Sequence, residues 1–130
     1  IRPWQFVLEP LSGYLRLAEK LFLEGQGYAE SWNFGPDNKD DQSVEWLIAK
    51  FDKEYGGGGN FEIKSNNNLP NEANYLKLDC SKSNKRLNWI PKLSIEESIS
   101  MTSAWYKNFY EESLDMYTFS VDQIKQFESL

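Results

Sequence analysis

Leu8, Leu11, Leu15, Ala18 and Phe22 recur at spacings of three and four, so residues 9–24 read as an amphipathic helix that stops near Gly25 and Gly27. Pro10 then falls in the first turn, where its missing N–H has no partner to lose. Upstream, residues 4–8 read as extended, from their aromatic and β-branched content and the proline that follows. The aromatic run "SWNFGP" (31–36) reads as a short strand closed by Gly35 and Pro36, and "DNKDDQ" as a polar loop carrying several helix caps. Val44, Leu47, Ile48, Phe51 and Tyr55 mark one face of a second helix, which Gly56 to Gly59 stop.

Beyond the glycines, "NFEIK" (60–64) reads as a further short strand, and "SNNNLPNEAN" as a polar loop long enough to serve as a binding segment. "YLKLD" (75–79) alternates briefly before "SKSNKRLNW", a short helix capped by Asp79 or Ser81 and pinned by Leu87 and Trp89. Ser94 and Glu97 form an S-x-x-E capping box ahead of Ile95, Ile99, Thr102, Tyr106 and Phe109, the firmest helical signal in the chain. A last helix is expected to begin at Ser120, with Gln123 as its partner, and to fray toward Leu130. Short strands and helices thus alternate in an α/β manner, with too few strong strands for an open sheet of this kind. The fold class expected is therefore α/β and incomplete, mostly helical with a few short strands.

Length and charge narrow the function. At 130 residues the chain suits one compact segment, 1–130, and not two independent domains. Twenty acidic against 14 basic residues, a net charge of −6, argue against attraction to nucleic acid or to an anionic membrane surface. A phosphate-bearing ligand must then be met by one or two placed cations. With no histidine, a Ser-His-Asp triad, a Cys-His dyad and a His-ligated zinc are excluded within these residues. The single cysteine, Cys80, has no intrachain partner, which fits a reducing cytoplasm, and no apolar run has the length of a membrane span.

Two stretches carry candidate chemistry. Arg2 offers forked donors suited to a bidentate phosphate clamp, although a solvated terminal charge or a surface ion pair is the commoner fate of such a residue. "NEANY" (71–75) sets Glu72, Asn74 and Tyr75 at the end of a polar loop, where amides and a carboxylate read base edges or sugar hydroxyls, or simply form a turn. The four-glycine run follows a helix instead of a strand and lacks G-x-G-x-x-G, so it reads as a helix stop and not as a phosphate cradle.

The stretches "IRPWQFVLEPLSGYL", "WNFGP" and "NEANYLKLDCSKSNKRLNWIPKLSIEESISMTSAWYKNF" succeed one another as in the C-terminal part of the CDP-glucose 4,6-dehydratases. These belong to the extended short-chain dehydrogenase/reductase superfamily of sugar-nucleotide enzymes. The "LDCSKSNKRLNWIP" element resembles the superfamily as a whole, whereas "RPWQ-V-EPLSGYL" and "NEANYLKLD" resemble the CDP-glucose branch. The resemblance implies that Ile1 lies inside a longer enzyme, whose N-terminal Rossmann domain binds NAD and carries the catalytic residues. It places none of the catalytic or cofactor-binding residues in this chain. It implies internal redox: NAD takes the hydride from C4 of the hexose, water leaves across C5 and C6, and the hydride returns to C6. It implies a cytoplasmic homodimer acting on CDP-glucose for deoxysugar and surface polysaccharide synthesis. Arg2 then matches the arginine that meets the diphosphate, and Asn71, Glu72, Asn74 and Tyr75 match a segment over the nucleotide, with asparagines in place of two histidines. Asparagine keeps a donor and an acceptor but cannot become charged.

Overall fold

The computed structural model describes residues 1–62, 76–111 and 115–130, and these are mostly helical. Strand β1 (Arg2–Pro3) leads to helix α1 (Leu8–Glu24) and a 3₁₀ turn, Gly25–Tyr28. A second 3₁₀ turn, Asn38–Asp40, opens into strand β2 (Asp41–Gln42) and helix α2 (Val44–Tyr55). Helices α3 (Ser81–Leu87), α4 (Ile95–Glu111) and α5 (Met116–Glu128) follow. β1 and β2 pair antiparallel, with Arg2 opposite Gln42 and Pro3 opposite Asp41.

Two small apolar clusters hold these elements. Phe6, Leu93, Met101 and Phe127 form one, with Leu8 against it; Phe34, Leu87 and Trp89 form the other, bordered by Leu17, Tyr28 and Trp32. The Phe34 and Trp89 rings meet edge to face, with centroids 5.0 Å apart. This geometry favours aromatic pairs beyond the area they bury. Leu87 and Trp89 therefore pin α3 as the sequence predicts.

α1 departs from its pattern. Leu11, Leu15, Ala18 and Phe22, the expected inward face, are exposed, Leu15 at 74% and Phe22 at 89%. The buried positions are Glu9 and Gly13. Glu9 Oε1 accepts the backbone N–H groups of Lys92 and Leu93 at 2.8 Å each. Trp89 Nε1 donates to Ser12 Oγ at 2.9 Å, and Arg16 Nε donates to the Leu87 carbonyl. Gly13 lies so close to Phe34 that a Cβ there would fall 2.3 Å from the ring. Hydrogen bonds and one close approach, not the leucine spacing, choose the face that packs.

The expected strands are corrected as well. Residues 31–36, 60–62 and 76–79 carry no strand, residues 63–75 lie outside the described residues, and residues 4–8 give way to α1 at Leu8. The pairing occurs instead between Arg2–Pro3 and the polar run at Asp41–Gln42.

The capping box holds. Glu97 Oε2 accepts from the Ser94 N–H at 2.7 Å, while Ser94 Oγ accepts from the Glu97 N–H at 3.3 Å. The N-cap position of α3 falls on Cys80, which makes no side-chain cap, and not on Asp79 or Ser81; Asp79 Oδ1, one residue earlier, accepts the Ser81 N–H at 2.9 Å. The last helix begins four residues before Ser120, at Met116, because Asp115 caps it by accepting the Tyr117 N–H at 3.0 Å. Ser120 and Gln123 instead tie α5 to α4: Trp105 Nε1 donates to Ser120 Oγ at 3.0 Å, and Gln123 Nε2 to the Met101 carbonyl at 2.8 Å.

Candidate functional site

Arg2 sits on β1, half-buried, and its Nη1 donates to the Ile1 carbonyl at 3.0 Å. The same carbonyl accepts the backbone N–H of Leu76 at 3.3 Å. Leu76 is the residue that follows Tyr75 in the sequence. Asn71, Glu72, Asn74 and Tyr75 themselves lie outside the described residues.

A two-residue ladder is a weak fixture, since even full two-stranded hairpins are marginal in water. Pro3 weakens it further, having no N–H to give β2. Side chains supply what the backbone lacks. Trp4 Nε1 donates to the Gln42 carbonyl at 3.0 Å, and Gln5 Nε2 to the Phe34 carbonyl at 3.0 Å. Lys77 Nζ lies 3.4 Å from Asp41 Oδ2, with the Asp41 side chain only 7% exposed. Asp40, the preceding residue, is buried, and its Oδ1 accepts the Ile95 N–H at 3.3 Å at the start of α4. Burial raises the Asp40 carboxyl above its usual range, against the opposing pull of that N–H. The strand that carries Arg2 thus pairs with β2, whose preceding residue Asp40 is fastened to the start of α4, and is tied to residues 76–77 through Ile1 and Asp41.

Two cavities flank this region. One of about 500 Å³, between Trp4, α2 and α4, is lined by Phe51, Tyr55, Ile95 and Ile99 and by no cation among the described residues. The other, of about 750 Å³, is bordered by Gly35, Lys77, Asp79, Lys85 and Trp89. Its two lysines are matched by the carboxylates of Asp37 and Asp79, which also border it.

The glycine run closes α2 as expected. Gly56 and Gly57 direct their N–H groups to the Asp52 carbonyl at 3.1 and 2.8 Å, and Gly59 donates to Asp52 Oδ1 at 2.7 Å. These donors are spent on a helix C-terminus, the negative pole of the helix dipole, and beside a carboxylate. The run therefore does not fit the pyrophosphate of a dinucleotide such as NAD. Cys80 is half-buried, and burial pushes its thiol up, away from the reactive thiolate range. Lys82 pairs with Glu30 at 2.9 Å, and Arg86 binds the same carboxylate. Both cations tie α3 to Glu30, just beyond the 3₁₀ turn after α1, and Arg86 Nη2 also donates to the Gly27 carbonyl within that turn at 2.8 Å.

Of the residues that shape this region, Asp40, Asp41 and Lys77 escape a reading by pattern. The one available signal is the brief alternation of Leu76, Lys77 and Leu78, which in a strand would face Lys77 away from its leucine neighbours, but no strand forms there.

No protein-family profile matches the chain. A CDP-glucose 4,6-dehydratase from Salmonella typhimurium (strain LT2) is 44% identical over 107 residues, which make up 82% of this chain and 30% of the relative. Across four-fifths of its length the chain is thus similar to a part of CDP-glucose 4,6-dehydratase, and it spans about a third of that relative.

Proposed function

We propose that this chain is the C-terminal, nucleotide-sugar-binding part of a CDP-glucose 4,6-dehydratase, a hydro-lyase that converts CDP-glucose to CDP-4-keto-6-deoxyglucose. The observation that carries this reading is the 44% identity over 107 residues to an enzyme of that name. In this reading the Arg2 guanidinium, held by the β1–β2 pair, binds the diphosphate of the substrate through its forked donors. Asn71, Glu72, Asn74 and Tyr75 contact the nucleotide through amide, carboxylate and phenol groups.

No group in this chain is assigned to the chemical step. NAD, the cofactor that the resemblance implies, is assigned in this reading to the N-terminal Rossmann domain of the longer enzyme; the glycine run here does not suit it. An extended Rossmann architecture, a homodimer and a cytoplasmic role in deoxysugar and polysaccharide synthesis complete the reading. Among the described residues, no helix is long and apolar enough to cross a membrane.

Titration of the complete enzyme with CDP-glucose tests the site. Arg2→Ala should weaken binding by about 1.5–3 kcal/mol, the range for a hydrogen bond to a charged group. Unchanged affinity would remove Arg2 from the diphosphate.

A further inference from the structure

We infer that Lys77 and Asp41 form a positioning pair for Arg2. The inference rests on the reading of Arg2 as the diphosphate clamp. Exposed ion pairs contribute little, because water screens them. This one differs on one side: the Asp41 carboxylate is 7% exposed, and its Oδ2 accepts no hydrogen bond. A buried carboxylate without a hydrogen bond at that oxygen depends on a neighbouring charge.

Asp41 also occupies the place where the ladder is weakest, directly opposite Pro3. Lys77 reaches it from a segment whose preceding residue, Leu76, donates to the Ile1 carbonyl, next to Arg2 in the chain. The Leu76 N–H and Arg2 Nη1 share that carbonyl. The ion pair and the Leu76 bond therefore lie on either side of Arg2 and limit how far its strand can shift. A shift of about 1 Å at a positioning element is enough to lose much of a binding group's effect.

The test is a double-mutant cycle in the complete enzyme, read as the dissociation constant for CDP-glucose. Lys77→Met keeps the aliphatic stem and removes the charge; it should weaken binding about tenfold, and Lys77→Arg should restore most of the loss. Asp41→Asn, which keeps the shape of the buried side chain, should weaken binding to a similar degree. Combined with Arg2→Ala, Lys77→Met should add little further loss, because the pair acts by aiming Arg2.

If Arg2→Ala weakens binding while Lys77→Met and Asp41→Asn do not, the inference fails and the reading of Arg2 stands. Fully additive losses would also overturn it, since Lys77 would then act on the ligand by itself. If Arg2→Ala has no effect, the diphosphate reading fails first and takes the inference with it.

Discussion

Glu9 Oε1 accepts the backbone N–H groups of Lys92 and Leu93 at 2.8 Å each, joining the first turn of α1 to the segment that leads into α4. Its other oxygen is buried without a partner. Glu9→Ala leaves two backbone donors without an acceptor, at a cost of about 1–3 kcal/mol for each one left buried. A urea unfolding midpoint close to that of the unchanged protein would contradict this.

The same residue gives stability a pH dependence. Burial raises the Glu9 carboxyl above its ordinary value of 4.5, against the pull of the Leu93 and Lys92 N–H groups and the Lys92 charge. A group whose folded pKa is raised stabilises the fold fully below its unfolded pKa, and that contribution is lost as the pH rises through the folded value. Glu24, Glu30, Asp79, Glu97 and Asp115 are lowered and act with the opposite sign, losing their contribution as the pH falls. The Glu9 share is isolated by comparison with Glu9→Gln. Relative to that variant, the unchanged protein should lose stability between pH 4.5 and neutrality; a relative gain would refute the assignment.

Gly13→Ala should destabilise, although alanine in place of glycine inside a helix ordinarily stabilises by about 1 kcal/mol. The added Cβ would stand 2.3–2.7 Å from three atoms of the Phe34 ring. Overpacking of this kind costs about 1–3 kcal/mol, so the steric term wins. A raised melting temperature would show that the ring moves aside freely.

Leu15→Ala and Leu87→Ala should differ sharply. Leu15 is 74% exposed and its truncation should change stability by less than about 0.5 kcal/mol, while Leu87 is 1% exposed and its loss should cost about 2–5 kcal/mol. Equal costs in chemical denaturation would return the Leu11–Leu15 face of α1 to the core.

These contrasts show what a pattern reveals. The Ser94–Glu97 box and the Asp79–Ser81 bond lie within three residues of their partners, so local chemistry identifies them. The packed face of α1 does not obey its leucine spacing, because Glu9 and Gly13 are buried by groups more than twenty residues away: the N–H groups of Lys92 and Leu93, and the Phe34 ring. β2 is hidden because a two-residue strand in "DNKDDQ" has no periodicity to detect. Arg2 is a candidate by its forked donors and gains its diphosphate role only through resemblance, and Asp41 and Lys77 stand out only once the chain is folded.

Helix α5 offers a direct check on its start. Asp115→Ala should remove the cap and cost about 1 kcal/mol, measured by chemical denaturation. Ser120→Ala should instead free the Trp105 indole, with a change in its fluorescence, because Ser120 serves that ring and not a helix end. The reverse pattern would place the helix start at Ser120.

The most direct test of the central claim is turnover by the complete enzyme of CDP-glucose against dTDP-glucose and UDP-glucose, followed as formation of the 4-keto-6-deoxy sugar. CDP-glucose should be preferred in kcat/KM by at least about tenfold. Preference for either of the other two nucleotides, or no dehydration of CDP-glucose, would contradict it.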